Sequence, residues 1–103
     1  MNIKEVRVTE VGPRDGFQSE KTVLKTEDKI DIINNLIEAG FPRIEVSSFV
    51  SPKAIPQLAD AESILSKVNR SSKTTLAALV PNSRGALRAV EAKLDQIVVF
   101  LSA

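Results

Sequence analysis

Four short runs of strand character, separated by three segments of helical periodicity, constrain this chain more than any other feature. Ile3 to Glu10 alternates, with Val6, Val8 and Glu10 on one side and Arg7, Thr9 and Val11 on the other, which predicts a first strand. From Thr26 onward, Ile30, Ile33, Leu36 and Ile37 fall on one helical stripe that Gly40 ends. Thr26 is placed to cap that helix, and Glu27 and Asp28 suit its positive end. Arg43 to Ser47 predicts a second strand, with Ile44 and Val46 on one face and Arg43, Glu45 and Ser47 on the other. A second helix is expected over Ala59 to Val68 with Asp60 as its candidate cap, and a third strand over Thr75 to Leu79 or Val80. Asn82 or Ser83 would cap a third helix carrying Leu87, Val90 and Leu94, and Gln96 to Leu101 reads as a fourth strand. The order β-α-β-α-β-α-β favours right-handed crossovers and a parallel α/β sheet. Periodicity alone does not separate a flavodoxin-like sheet from part of a barrel.

The polar stretch Val11 to Glu20 lies between the first strand and the first helix and reads as a loop. Gly12 and Pro13 stop the strand, because proline has no amide to give a sheet ladder and glycine tolerates a sharp exit. Arg14 then offers a fixed fork of donors suited to a carboxylate or thioester oxygen, and Asp15 a hard oxygen of the kind Mg²⁺ or Mn²⁺ prefers. Asp-Gly is equally a common turn pair, and an arginine beside it can simply form a surface ion pair. In alternating α/β folds ligands gather at the carboxyl ends of strands. Arg14 with Asp15, Glu45 and Asn82 all fall at such ends. Glu45 lies between Ile44 and Val46 and must point away from them; Arg14, Arg43 or a metal-bound water could be its partner. Glu10, before the loop, suits a supporting role that orients Arg14 or another arginine.

Charge and composition exclude several classes. Fourteen basic and 13 acidic residues are interspersed, leaving +1 with no basic stripe, so nucleic acid is not an expected partner. No apolar run approaches the roughly 20 residues that span a bilayer, and the amino terminus lacks the apolar core of a signal, so a soluble, cytoplasmic protein without membrane association is expected. With no cysteine the chain cannot hold a disulfide.

Three motifs together carry a resemblance. Val11-Gly12-Pro13-Arg14-Asp15-Gly16-Phe17-Gln18-Ser19-Glu20-Lys21, the segment Ile44 to Lys53 with its Ser-Phe-Val-Ser-Pro core, and Val80-Pro81-Asn82 resemble 3-hydroxy-3-methylglutaryl-CoA lyase along the whole chain. Isopropylmalate and homocitrate synthases share an Arg-Asp-Gly turn but usually in a Leu-Arg-Asp-Gly form, so the Gly12-Pro13 lead-in makes the match narrower. The resemblance implies an α/β fold, the amino-terminal part of a (β/α)₈ TIM barrel, with residues 1–103 forming about three and a half βα units of a single catalytic domain. A full barrel needs about 250 residues, so the chain is expected to be a portion of one.

The same resemblance implies roles. Arg14 would contact the substrate carbonyl, Asp15 would bind a divalent cation (Mg²⁺ or Mn²⁺), and Glu45 would lie in the active site, with Gln18 and Ser48 near the acyl group of an acyl-CoA substrate. The implied reaction cleaves 3-hydroxy-3-methylglutaryl-CoA to acetoacetate and acetyl-CoA, as in leucine breakdown. The family's remaining ligands are a His-X-His pair and an asparagine, with a cysteine on a late glycine-rich loop. This chain has neither His nor Cys, so the 103 residues alone are expected to be inactive and to bind metal weakly or not at all. The alternatives are a related aldolase or acyl-CoA condensing synthase, or a non-catalytic partial barrel. A homo-oligomer is expected, and unpaired edge strands would drive self-association of the partial barrel.

Overall fold

The isoleucine stripe folds as predicted: α1 (Thr26–Glu38) buries Ile30, Ile33 and Ile37, with Leu36 packed beside them. Gly40 follows at φ 90°, a left-handed conformation costly for any residue with a Cβ, and the chain turns there into β2 (Arg43–Ser48). The computed structural model describes residues 4–100. In chain order the remaining elements are β1 (Thr9–Glu10) before α1, then α2 (Ala61–Lys67), β3 (Thr75–Leu79), α3 (Ser83–Glu91) and β4 (Gln96–Val98). All strand pairs are parallel, and the strands lie in the sheet in the order β1-β2-β3-β4.

That order resolves the choice periodicity left open. A flavodoxin-like sheet reverses direction beside its first strand, whereas here every strand adds on the same side of its predecessor, as in an arc of a barrel. The core lies between one sheet face, with Ile44, Val46, Leu76 and Ala78, and the helical residues Ile33, Ala61, Ile64, Leu65 and Ala89. Gly85 explains how closely α3 approaches: a Cβ there would stand 2.7 Å from the carbonyl oxygen of Phe49.

Several expectations are corrected. β1 is two residues long, not Ile3 to Glu10; residues 1–3 lie outside the described part, and 4–8 are not strand. Thr9 pairs with Arg43, the first residue of β2, so earlier residues have no strand opposite them, and Val6 and Val8 stay exposed. β4 ends at Val98, opposite the last residue of β3, and Leu101 lies outside the described residues. The second helix starts at Ala61 after a short 3₁₀ turn at Pro56–Leu58 and ends at Lys67. Neither proposed cap acts as one: Thr26 and Asp60 make no capping bond, because the Thr26 hydroxyl donates to Asp60 Oδ2 at 2.6 Å. Asn82 does cap α3, its Oδ1 accepting from the Gly85 amide at 2.8 Å. Leu87 and Val90 are 68% and 74% exposed; α3 meets the core through Ala86 and Ala89 instead.

Candidate functional site

The site is built where β1 gives out. After Val11 the chain winds into one wide helical turn, Gly12–Gly16, rather than the open loop expected from its polarity. Pro13 suits this entry because its fixed φ and missing amide are tolerated in a first turn. The Val11 carbonyl accepts from the amides of Arg14 (3.1 Å) and Asp15 (2.7 Å), fixing the backbone under both side chains.

Arg14 then reaches across to β2. Its Nε donates to Glu45 Oε1 at 3.0 Å and its Nη1 to Asp15 Oδ1 at 3.2 Å, leaving Nη2 without a protein partner among the described residues. Of the possible partners for Glu45, the structure selects Arg14; Arg43 turns away to Gln96 and Thr9. Glu45 is buried, so the ion pair is partly desolvated, and the guanidinium is held in one plane. Asp15 is 69% exposed at its side chain.

A register shift in β2 completes this wall. Glu45 pairs with Ala77 and Ser47 with Ala78, so Val46 is the extra residue of a bulge. Regular alternation would put Phe49 on the Glu45 side and Ser48 on the other. After the bulge Phe49 joins Ile44 and Val46 in the core, while Ser48 and Val50 join Glu45 along a cavity of about 490 Å³. Arg14, Gln18, Glu45 and Ser48 form its polar lining, with Ile55, Leu79 and Phe100 among the apolar residues. The hydroxyls of Ser47 and Ser48 are buried without a hydrogen-bond partner, a state that costs about 1–3 kcal/mol each. At Ser48 a bound molecule could satisfy it.

The other candidates fall elsewhere. Glu10 lines a separate cleft with Pro13, Phe17 and Leu36 and is not paired with Arg14. Asn82 is engaged as the α3 cap and borders clefts other than the Arg14 cavity. A larger cleft of about 590 Å³ lies between α2 and α3, but its Arg70 is engaged by the carbonyls of Ala92 and Lys93, and Glu62 by Arg88. Arg88 also lies 5.2 Å above the Phe49 ring, and its hydrogen bond to Glu62 holds the Glu62 carboxyl below its ordinary value and raises Arg88.

Sequence reasoning missed one charged cluster. Lys29 is 1% exposed, and its ammonium donates to the Gln57 carbonyl (2.6 Å) and to Asp60 Oδ1 (3.0 Å) and Oδ2 (3.2 Å). Its spacing from Ile33, one turn on within the apolar stripe, was the available signal.

A divalent cation can be tested against these groups. Among the described residues no three His, Cys, Asp or Glu side chains cluster to hold one. Asp15 supplies a single carboxylate, partly engaged by Arg14, where a hard cation takes about six ligands. The described residues do not by themselves make a metal site.

Fold and site define an arc of a parallel α/β barrel with a polar cavity at the carboxyl ends of its strands. The sequence matches the HMGL-like family over residues 5–103, and the chain belongs to that family. It is 48% identical over 100 residues to a hydroxymethylglutaryl-CoA lyase of Bacillus subtilis, covering 97% of this chain and 33% of that protein. To the mitochondrial hydroxymethylglutaryl-CoA lyase of Arabidopsis thaliana it is 44% identical, covering 97% of this chain and 21% of that protein. The crystal structure of the Bacillus subtilis HMG-CoA lyase superposes with a TM-score of 0.92 at 46% identity, covering 96% of this chain and 33% of that one. An HMG-CoA lyase from Acinetobacter baumannii, in complex with coenzyme A and 3-methylmalate, superposes at 0.91 with 46% identity and the same coverage. The chain thus spans a third or less of the length of these relatives.

Proposed function

We propose that this chain is the amino-terminal portion of a single barrel domain whose complete form cleaves 3-hydroxy-3-methylglutaryl-CoA to acetoacetate and acetyl-CoA. One observation carries the reading: Arg14, clamped by buried Glu45, presents free donors to a cavity also lined by Gln18 and Ser48, in a chain whose relatives are named HMG-CoA lyases.

The chemistry needs such a group. Loss of the tertiary hydroxyl proton lets that oxygen form a ketone as the bond to the thioester's α-carbon breaks, and the electron pair moves onto the thioester oxygen as an enolate. Protonation of the α-carbon then yields acetyl-CoA. Arg14 stabilises the enolate oxygen, a contribution that donors fixed in advance make without reorganising. Glu45 holds the guanidinium in orientation or moves a proton within the same cavity. Gln18 and Ser48 bind the acyl group, with Ser48 gaining the partner its buried hydroxyl lacks. Asp15 would be this chain's ligand to a divalent cation, Mg²⁺ or Mn²⁺, which would supply polarisation of the substrate's oxygens.

The protein carrying this chain should convert 3-hydroxy-3-methylglutaryl-CoA to acetoacetate, and Arg14→Gln should lower kcat by about 10²-fold or more. Condensation of a 2-oxo acid with acetyl-CoA, without cleavage, would overturn the lyase reading. The 103 residues alone should show no turnover. A cytoplasmic location belongs to the same proposal; among the described residues no helix is long and apolar enough to cross a membrane.

A second reading is favoured by the exposed Leu87 and Val90 of α3 and Ile97 of β4, and by the unpaired edges of β1 and β4 among the described residues: the chain self-associates. Sedimentation showing a monomer at high concentration would remove it.

A further inference from the structure

Two separate segments frame the Arg14 cavity. The helical turn and its continuation provide Arg14 and Gln18, and the long connection after β2 provides Val50 and Ile55. Neither segment belongs to the sheet. Arg14 ties the turn to β2 through Glu45 and Arg88 donates to the Val50 carbonyl, and the other described side-chain bonds that join the connection to α1 and to the turn are those of Lys29, Thr26 and Gln57.

Lys29, on the first turn of α1, has three ammonium protons and three acceptors: the Gln57 carbonyl and both oxygens of Asp60. Gln57 and Asp60 both belong to the connection after β2. The same connection is tied back towards the Arg14 turn, because Gln57 Nε2 donates to the Glu20 carbonyl at 3.1 Å. Thr26 donates to Asp60 Oδ2, closing the loop at the start of α1. A buried ammonium is tolerable only when its partners are in place, so the lysine penalises any arrangement that moves Gln57 or Asp60 away.

We propose that the Lys29–Asp60 pair is a positioning device for the Arg14 cavity: one buried ammonium holds the connection after β2, and Gln57 transmits that hold to the turn bearing Arg14. Lys29 touches neither the cavity nor Arg14 and acts through the backbone it fixes. The inference concerns the cavity's shape and does not depend on which molecule the cavity binds.

Residue-resolved amide hydrogen exchange on the complete protein carrying this chain tests it. The amides of Ser19 and Glu20 report on the turn, those of Ala54, Ile55, Leu58 and Ala59 on the connection, and Thr75 and Val80 on the sheet; each donates to a backbone carbonyl. Lys29→Met with Asp60→Leu removes both charges together, so the variant lacks an uncompensated buried ion. Exchange should quicken about tenfold in both segments while Thr75 and Val80 stay within about twofold of the wild type. A uniform increase at all these amides, or a response in the connection alone, would overturn the proposal. Gln57→Ala cuts only the bond to Glu20 and decides the matter if the double variant does not fold. Faster exchange at Ser19 and Glu20, with Leu58 and Ala59 unchanged, is expected, and no change at Ser19 and Glu20 would overturn it.

Discussion

Two ion pairs, one made by the helical turn and one by the first turn of α1, behave as opposites. Lys29–Asp60 is closed: every ammonium proton has an acceptor, and a threonine hydroxyl engages the carboxylate as well. Arg14–Glu45 is open: Arg14 retains unused donors, and the cavity beside it contains a serine hydroxyl without a partner. A charge with all its valences matched inside the protein can only stabilise a geometry. A charge with some unmatched can also receive a ligand.

The contrast breaks most visibly at Lys29. Lys29→Met alone leaves Asp60 partly buried without its cation and should cost about 3–5 kcal/mol in a denaturant titration, with much of the loss recovered when Asp60→Leu is added. A loss no larger than that of an exposed pair would mean the cluster is not closed. Next in size, Gly85→Ala tests the tight packing of the helix-covered side. Its new Cβ would meet a backbone oxygen, and the expected loss is about 1–3 kcal/mol in thermal unfolding. Glu45→Gln should cost only about 1 kcal/mol, because the amide keeps a hydrogen bond to Arg14 and the site is already incomplete. A larger loss would place Glu45 with the structural pairs.

The smallest effect belongs to Glu62–Arg88 on the outer surface. Its hydrogen bond from Arg88 lowers the Glu62 pKa in the folded state, so the contribution is full above the ordinary value of 4.5 and is lost as pH falls through the lowered one. Glu62 is half-exposed, and the effect should stay within the ~0.2–1 kcal/mol of exposed pairs. Unfolding midpoints of wild type and Glu62→Gln should therefore converge on acidification below that value.

The residues that announced the site were legible because their chemistry is local. Arg14 and Asp15 adjoin the glycine and proline that end β1, and Asn82 stands one residue before a helix, so a turn and a cap could be read directly. Ser48 was legible only through resemblance, since regular alternation assigns it to the wrong face and nothing in the string marks Val46 as a bulge. Leu87 and Val90 fit a helical stripe yet lie exposed, because the small residues of α3 let it approach Phe49 closely on another face. Thr26 and Asp60 each suited a cap, but the Thr26 hydroxyl donates to the Asp60 carboxylate, and buried Lys29 donates to the same carboxylate.

By itself the sequence determined the alternation of strands and helices, the isoleucine face of α1 and the position of the polar turn after β1. These follow from spacing, and spacing is local. Only the tertiary structure decided that each strand adds beside the last, that Glu45 takes Arg14, that a bulge turns Ser48 towards the cavity, and that Lys29 is buried. Those outcomes depend on which distant groups compete for the same partner, and that competition is settled only when the sheet has brought them together.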